Sequence, residues 1–380
     1  MNQGTADQRK DRSPGALSFI EGDDSIVIPI MNLTRREFLG KSAYGGLGLA
    51  AFSLPGSSVN ADGPAPGLNP EYAKVLNGVS PAEKPYEGTV AVWFSSHYQV
   101  DPRDWNNIQE FGNDYHPLAG YYKSDDPAIV KKQVHWMRRA GIDAIVYDVY
   151  STEKMRITDL PRDKTLPLLL QELANQQSES RKLKLIIWLE VYWGMPTPAE
   201  CQFAFDYIKE HLAGCDFYFR YKGKPLVTPF LNADLDQLDE VFEKNRDDFE
   251  IRCIRPYKSD LWSYIGPYPQ QKRKGWMSAS PGYDAYLENA YVSRHMRHQT
   301  EPSLEKIRAD APRAAREDGL YYIKQLTWAK QCDPDIIFVS GWNDWQYACQ
   351  IEPAKEYEFF YVDLTARVLG RWAVTAPYRD

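Results

Sequence analysis

The sequence predicts an α/β fold, a (β/α)8 TIM barrel in a single domain, and three observations predict it. From Thr89 onward, short apolar runs alternate with amphipathic stretches of helical period. Eight such runs can be traced, and no glycine-rich phosphate loop follows the first, as an open doubly wound sheet would show. Unbroken alternation implies a parallel sheet, and eight units point to its closure as a barrel. At 380 residues the chain exceeds the usual domain size, but barrels of this kind run as one unit at such lengths.

The elements follow in order. Residues 90–94, Val-Ala-Val-Trp-Phe, are a continuous apolar run, the pattern of a strand covered on both faces. Asp126 and Pro127 open a helix, the first as cap and the second in the first turn, and Gly141 stops it after Arg139 and Ala140. Residues 144–147 form the second strand, ending in Asp148, and a helix over 166–176 leads to the third at 185–189, ending in Glu190. A helix over 198–212 precedes residues 217–220, a turn at Lys222-Gly223-Lys224 and the fourth strand at 226–228. Strands are expected at 250–254, 261–264, 276–279 and 336–340, a helix over 311–330 before the last of these, and a closing helix over 359–369. No internal repeat is present.

Ahead of the barrel, assigned to residues 86–380, lies an address. From Met31 the chain reads Asn-Leu-Thr-Arg-Arg-Glu-Phe-Leu-Gly-Lys, then an apolar, glycine-rich run from Ser42 to Leu54. Val59 and Ala61 then occupy the small-residue positions of a cleavage site. Twin arginines, a modest apolar region and small residues, in that order over 31–61, predict export by the twin-arginine machinery to the periplasm or beyond the cell. The apolar run is about half of the roughly 20 residues a membrane span needs. Residues 1–30 are polar and patternless, and translation is expected to start at Met31. Residues 62–85, rich in Gly, Pro and Asn, read as a linker.

Bulk properties narrow the function. A net charge of -7 without a basic stripe argues against nucleic acid or an anionic membrane as partner. No other apolar run is long enough to span a bilayer, so the mature protein is expected to lack a membrane span. Cys201, Cys215, Cys253, Cys332 and Cys349 are scattered without metal-type spacing, which predicts buried, inert thiols rather than a disulfide framework or thiolate site. Aromatic residues make up 13% of the chain, with 11 Trp and 25 Tyr. Such rings supply flat apolar faces with polar edges, which suit the C–H-rich face of a sugar and equally suit a large core.

In barrels of this kind the active site lies at the carboxyl ends of the strands. The polar residues there are His97 and Tyr98 after the first strand, Asp148 and Tyr150 after the second, and Glu190, Tyr192 and Trp193 after the third. Arg255 and Tyr257 follow the fifth, Tyr283 and Asp284 the seventh, and Asn343, Asp344 and Trp345 the eighth. The carboxylates Asp148, Glu190 and Asp344, interleaved with Trp and Tyr, suit glycoside cleavage. One protonates the leaving oxygen, another acts as nucleophile or base, and the rings hold the sugar. No spacing calls for a cofactor or a metal.

Three stretches resemble glycoside hydrolase family 99, the endo-α-mannosidases, and the family 71/99-like bacterial proteins. They are Pro117-Leu118-Ala119-Gly120-Tyr121-Tyr122-Lys123-Ser124-Asp125-Asp126-Pro127 with the strand ending in Asp148, then Ser280-Pro281-Gly282-Tyr283-Asp284. The third is Gly341-Trp342-Asn343-Asp344-Trp345-Gln346-Tyr347-Ala348-Cys349-Gln350-Ile351-Glu352-Pro353. The resemblance implies a closed barrel, a carbohydrate substrate, and retaining cleavage in which one Glu deprotonates the sugar 2-hydroxyl and a second is the general acid–base. By position the first Glu becomes Asp344, retracted by roughly 1.5 Å, about one C–C bond. The second becomes Tyr347, whose ordinary pKa of about 10 suits proton donation poorly. The family's Arg-Pro-Trp is absent, and the corresponding region is Ala285-Tyr286-Leu287-Glu288, with Arg294 and Arg297 further along.

The missing acid is therefore expected from Glu190 first and Asp148 second, with Glu352 structural. Tyr347 at the acid's position favours an alternative, a barrel that binds carbohydrate without cleaving it. A third reading, a metal-dependent hydrolase, requires His97, His116 and Asp148 to converge.

Overall fold

The computed structural model describes residues 69–98, 105, 108, 111, 112, 114–149, 157–176, 179, 181–191, 196–231, 236–254, 275–287, 289, 290, 293 and 303–371. The export signal at 31–61 and the strand expected at 261–264 lie outside the described residues. The elements run α1 (Pro70–Gly78), β1 (Thr89–Phe94), α2 (Pro127–Arg139), β2 (Ala144–Val149), α3 (Thr165–Ala174) and β3 (Lys184–Val191). They continue α4 (Pro198–His211), β4 (Arg220–Tyr221), β5 (Lys224–Leu231), α5 (Asp239–Asn245), β6 (Glu250–Ile251) and β7 (Trp276–Ala279). The last are β8 (Tyr283–Asp284), α6 (Leu304–Asp310), β9 (Arg313–Ala314), α7 (Leu320–Gln331), β10 (Ile336–Val339) and α8 (Phe360–Val368).

Parallel neighbours run in the order β6, β5, β3, β2, β1, β10, β7, with β4 added to β5 as a short antiparallel hairpin. This is a curled sheet. Trp188 on β3 stacks on Phe338 of β10 with ring centroids 6.0 Å apart. Two strands lie between them, so on a flat sheet they would stand about 14 Å apart. Likewise Tyr221 of β4 and Trp276 of β7, at the two ends of the strand order, meet at 5.8 Å. Every second residue points inward, and Ala91, Trp93, Ala144, Val146, Ile186, Trp188, Leu226, Ile336 and Phe338 fill the hollow. The described strands thus make a mixed α/β fold on a half-barrel sheet, and the sixth strand, expected at 261–264, belongs to the stretch between β6 and β7 that is not described.

Local chemistry explains the helices. On α2, Val130, Val134 and Met137 recur at helical spacing and are buried, while the Asp126 side chain accepts from Ala128 N at 2.8 Å. Thr197 and Glu200 form a reciprocal capping box on α4. The nearly all-buried α8 is pinned to α2 by Arg139, whose Nε and Nη2 donate to the Asp363 carboxylate at 2.7 and 2.8 Å.

Two stretches depart from the sequence reading. The expected linker contains α1, because Asn69 and Pro70 act as cap and first turn rather than as breakers. Arg367 Nη1 donates to Leu76 O at 2.8 Å and ties this helix to α8. The helix expected from residue 311 starts only at Leu320. Residues 313–314 pair with β8 instead, and Asp318 and Gly319 take φ of 51° and 93°, which interrupts helical continuation. None of the five cysteines is in a disulfide. Cys201 and Cys349 are buried, but Cys215, Cys253 and Cys332 are only half-buried, since they lie at the margins of their elements. No helix of the described residues is long and apolar enough to cross a membrane.

Candidate active site

Strand alternation brings two of the expected carboxyls to the inner face. Asp148 continues the inward series Ala144, Val146, and Glu190 continues Ile186, Trp188. In register, Asp148 lies opposite Trp188 and Glu190 opposite Phe230, so both stand at the carboxyl end of the hollow. Asp148 is fully buried, and among the described residues no amide or hydroxyl donor reaches either of its oxygens. Its neighbours are acids. Burial, then the adjacent Glu190 carboxyl and more weakly Asp344, push the Asp148 pKa well above the ordinary carboxylate range. Two carboxyls in contact repel once both are charged, so the Asp148–Glu190 contact opposes loss of the second proton.

The third carboxyl arrives on the loop after β10. Gly341, at φ +91°, turns the chain so closely onto Cys349 that a Cβ there would stand 2.5 Å from Cys349 O. Trp342 then re-enters the core, its indole N–H donating to Gln133, and Asp344 follows, 3% exposed. Burial raises the Asp344 pKa to about 6, against the opposing hydrogen bonds from the Cys349 thiol and the Tyr347 backbone N–H. Asp344 therefore ionises as pH rises through about 6, whereas burial and the neighbouring acids resist ionisation of Asp148.

The other expected site residues divide into three groups. Asn343, Trp345 and Tyr98 are wholly buried, and their polar atoms are used within the protein. Asn343 accepts from Ser95 N and donates to Ser95 O, both at 2.8 Å, joining β10 to β1. Tyr98 donates to Asn343 O at 2.6 Å and stacks on Trp105 at 4.3 Å, and Trp345 Nε1 donates to Glu352 at 2.8 Å. A sugar hydroxyl could reach these atoms only by displacing those bonds. His97, also buried, hydrogen-bonds Ser95 and stacks on Tyr98 at 5.0 Å. In the second group, Tyr283 stacks on Tyr347 at 5.4 Å with planes 10° apart, and Asp284 N donates to Tyr347 O at 2.8 Å. These contacts bring the loops after β7 and β10 together. The third group, Tyr150, Tyr192, Trp193 and Tyr257, lies outside the described residues.

Glu352 is a hub rather than an open site group. Buried, it accepts from Tyr122 OH and Trp345 Nε1 at 2.8 Å each and from Gln133 Nε2, and burial lifts its pKa to about 7. His116 pairs with Glu356 at 2.7 Å instead of approaching His97, and no group of three metal-ligating residues is assembled among the described residues. A cavity of about 220 Å³ opens beside Tyr283 and Asp284, walled by Tyr115, Tyr286, Arg308 and Arg313. Asp148, Glu190 and Asp344 do not line it.

The sequence reading missed Cys349 and Arg316. Cys349 Sγ donates to Asp344 Oδ2 at 3.0 Å. Arg316 donates to Ala348 O at 2.9 Å and to Gln350 O at 2.7 Å, holding the loop that carries Asp344. Proximity to Asp344 was a legible signal for the cysteine. Arg316 offered none, since its partners lie more than thirty residues away and are backbone carbonyls.

The buried Asp148 should cost stability. Its folded pKa lies above its unfolded value, so stability falls as pH rises past the ordinary carboxylate pKa, until the folded pKa is passed. Asp148→Asn is expected to raise the unfolding free energy at pH 8 by about 1–3 kcal/mol, with less gain at pH 5, read by urea titration at both values.

The curled α/β sheet is similar in fold to solved glycoside hydrolase structures. The GH99 endo-alpha-mannosidase from Bacteroides thetaiotaomicron superposes with a TM-score of 0.55 at 15% identity, over 74% of this chain and 97% of that one. The structure of that enzyme in complex with BIS-TRIS-propane gives 0.54 at 17% identity over 74% and 96%. A glycoside hydrolase-like protein gives 0.50 at 13% identity over 76% and 96%. At these identities the likeness is one of fold. No protein-family model matches the chain, and no curated protein does.

Proposed function

We propose that this protein is an exported glycoside hydrolase that cleaves glycosidic bonds in a polysaccharide or glycan on a closed (β/α)8 barrel. The observation that carries the reading is the placing of the buried carboxyls: Asp148 lies against Glu190, and burial and that neighbour push its pKa well above the ordinary carboxylate range, while burial lifts Asp344 to about 6. A glycosidase needs one acid that holds its proton and one that has lost it. Glu190, the more exposed of its pair, donates the proton to the leaving oxygen, with Asp148 behind it as the buried neighbour that keeps the pair protonated. Asp344 acts on the sugar as base or nucleophile. Tyr150, Tyr192, Trp193, Tyr257 and Tyr283 supply ring faces and hydroxyls for the sugar. The fold shared with the endo-alpha-mannosidase supports a carbohydrate as substrate. The twin arginines at 35–36 and the small residues at 59 and 61 support export by the twin-arginine pathway.

One observation favours the alternative, a carbohydrate-binding barrel without turnover. The residue at the family acid's position, Tyr347, is stacked against Tyr283. Incubating the protein with a panel of α- and β-linked glycans and reading new reducing ends separates the two. Release from at least one glycan supports the hydrolase, whereas binding without release from any supports the alternative.

A further inference from the structure

We propose that Cys349 is a positioning residue for Asp344: its thiol, 3.0 Å from Oδ2, fixes the orientation and charge state of that carboxylate. The proposal rests on the hydrolase reading for its catalytic consequence, but not for its geometry. Cys349 is 2% exposed and Asp344 3%, so both groups are buried from bulk solvent. A thiol is a weak donor, and it serves only if the backbone holds it at the right point.

The backbone does so from three sides. Cys349 N donates to Asp344 O at 3.2 Å, closing the loop on itself. The peptide carbonyls on either side of Cys349, those of Ala348 and Gln350, both accept from the Arg316 guanidinium. That guanidinium is buried over the rings of Tyr115, Tyr357 and Tyr361 at 4.8, 5.5 and 4.6 Å. On the third side the Gly341 turn presses on Cys349, where a Cβ would meet the carbonyl oxygen at 2.5 Å and Sγ at 3.0 Å. A thiol held this firmly, with its proton directed at a buried carboxylate, stabilises the ionised form and fixes which oxygen faces the substrate. Among the charged groups around this pair, Asp344 bears on Asp148 of β2, and Arg316 bears on Cys349.

The test is the titration of the Asp344 carboxyl carbon by NMR in protein labelled at aspartate. The resonance is assigned by its loss in Asp344→Asn. Cys349→Ala is expected to raise the midpoint from about 6 by roughly one unit, a tenfold loss of acidity. Cys349→Ser, which keeps a donor in the same place, is expected to restore it to within a few tenths. On a cleaved glycan, Cys349→Ala should lower kcat at pH 7 with KM little changed, and move the acid limb to higher pH in step with the carboxyl. An unchanged midpoint in Cys349→Ala overturns the proposal, as does a serine variant that titrates like the alanine one. Should no glycan be cleaved by the wild type, the carboxyl titration still decides the role of Cys349, and only the hydrolase reading falls.

Discussion

Asp344→Asn is expected to lower kcat on a cleaved glycan by about 10³-fold or more while leaving the fold and the sugar affinity near their wild-type values. Asn is nearly isosteric and keeps an oxygen for the Cys349 thiol, so the loop after β10 has no reason to rearrange. What is lost is the charge. The same carboxyl sets the acid limb of the wild-type profile: with a pKa of about 6, it is ionised above that value and protonated below it, so kcat/KM should fall as pH drops through 6. The profile of Asp344→Asn should lack this limb. Near-wild-type turnover by the asparagine variant would remove Asp344 from the chemistry.

Glu190→Gln is expected to cost about 10²–10⁴-fold in kcat, through loss of the proton donor. Tyr347→Phe should be much milder, because the Tyr347 ring already serves to join two loops by stacking on Tyr283. The glutamine variant also leaves Asp148 beside a neutral amide that can donate to it, so Asp148 should ionise more easily and the folded protein should gain stability at alkaline pH. The reverse order of kcat effects, with Tyr347→Phe the more damaging, would make the tyrosine the acid. An activated substrate with a leaving group of low pKa sharpens the comparison, since it should restore turnover to Glu190→Gln but not to Asp344→Asn.

The residues differ in how legibly they announced these roles. Asp148 and Glu190 were readable because each ends an apolar run, and strand period then dictates which way they point. Their mutual contact was not readable, for it depends on the register between β2 and β3. Asn343 and Trp345 carried sugar-binding chemistry in their side chains, yet Ser95, Tyr98 and Glu352 engage those polar atoms within the core. Glu352 itself collects donors from Tyr122, Gln133 and Trp345, positions scattered over more than two hundred residues, and no local pattern encodes such a convergence. Arg316 was hidden for a related reason, because carbonyl groups carry no residue identity. The late start of α7 was lost to a two-residue pairing with β8 that local propensity does not register.

Glycan cleavage in water enriched with oxygen-18, read by mass spectrometry of the new reducing end, tests the central claim most directly. Proton delivery from the Asp148–Glu190 pair and attack assisted by Asp344 require one labelled oxygen at the anomeric carbon of the released sugar, and release of that product slowed by about 10³-fold or more in the Asp344→Asn control. Cleavage that yields an unsaturated, unlabelled product, or a labelled product from that variant at the wild-type rate, would contradict the account.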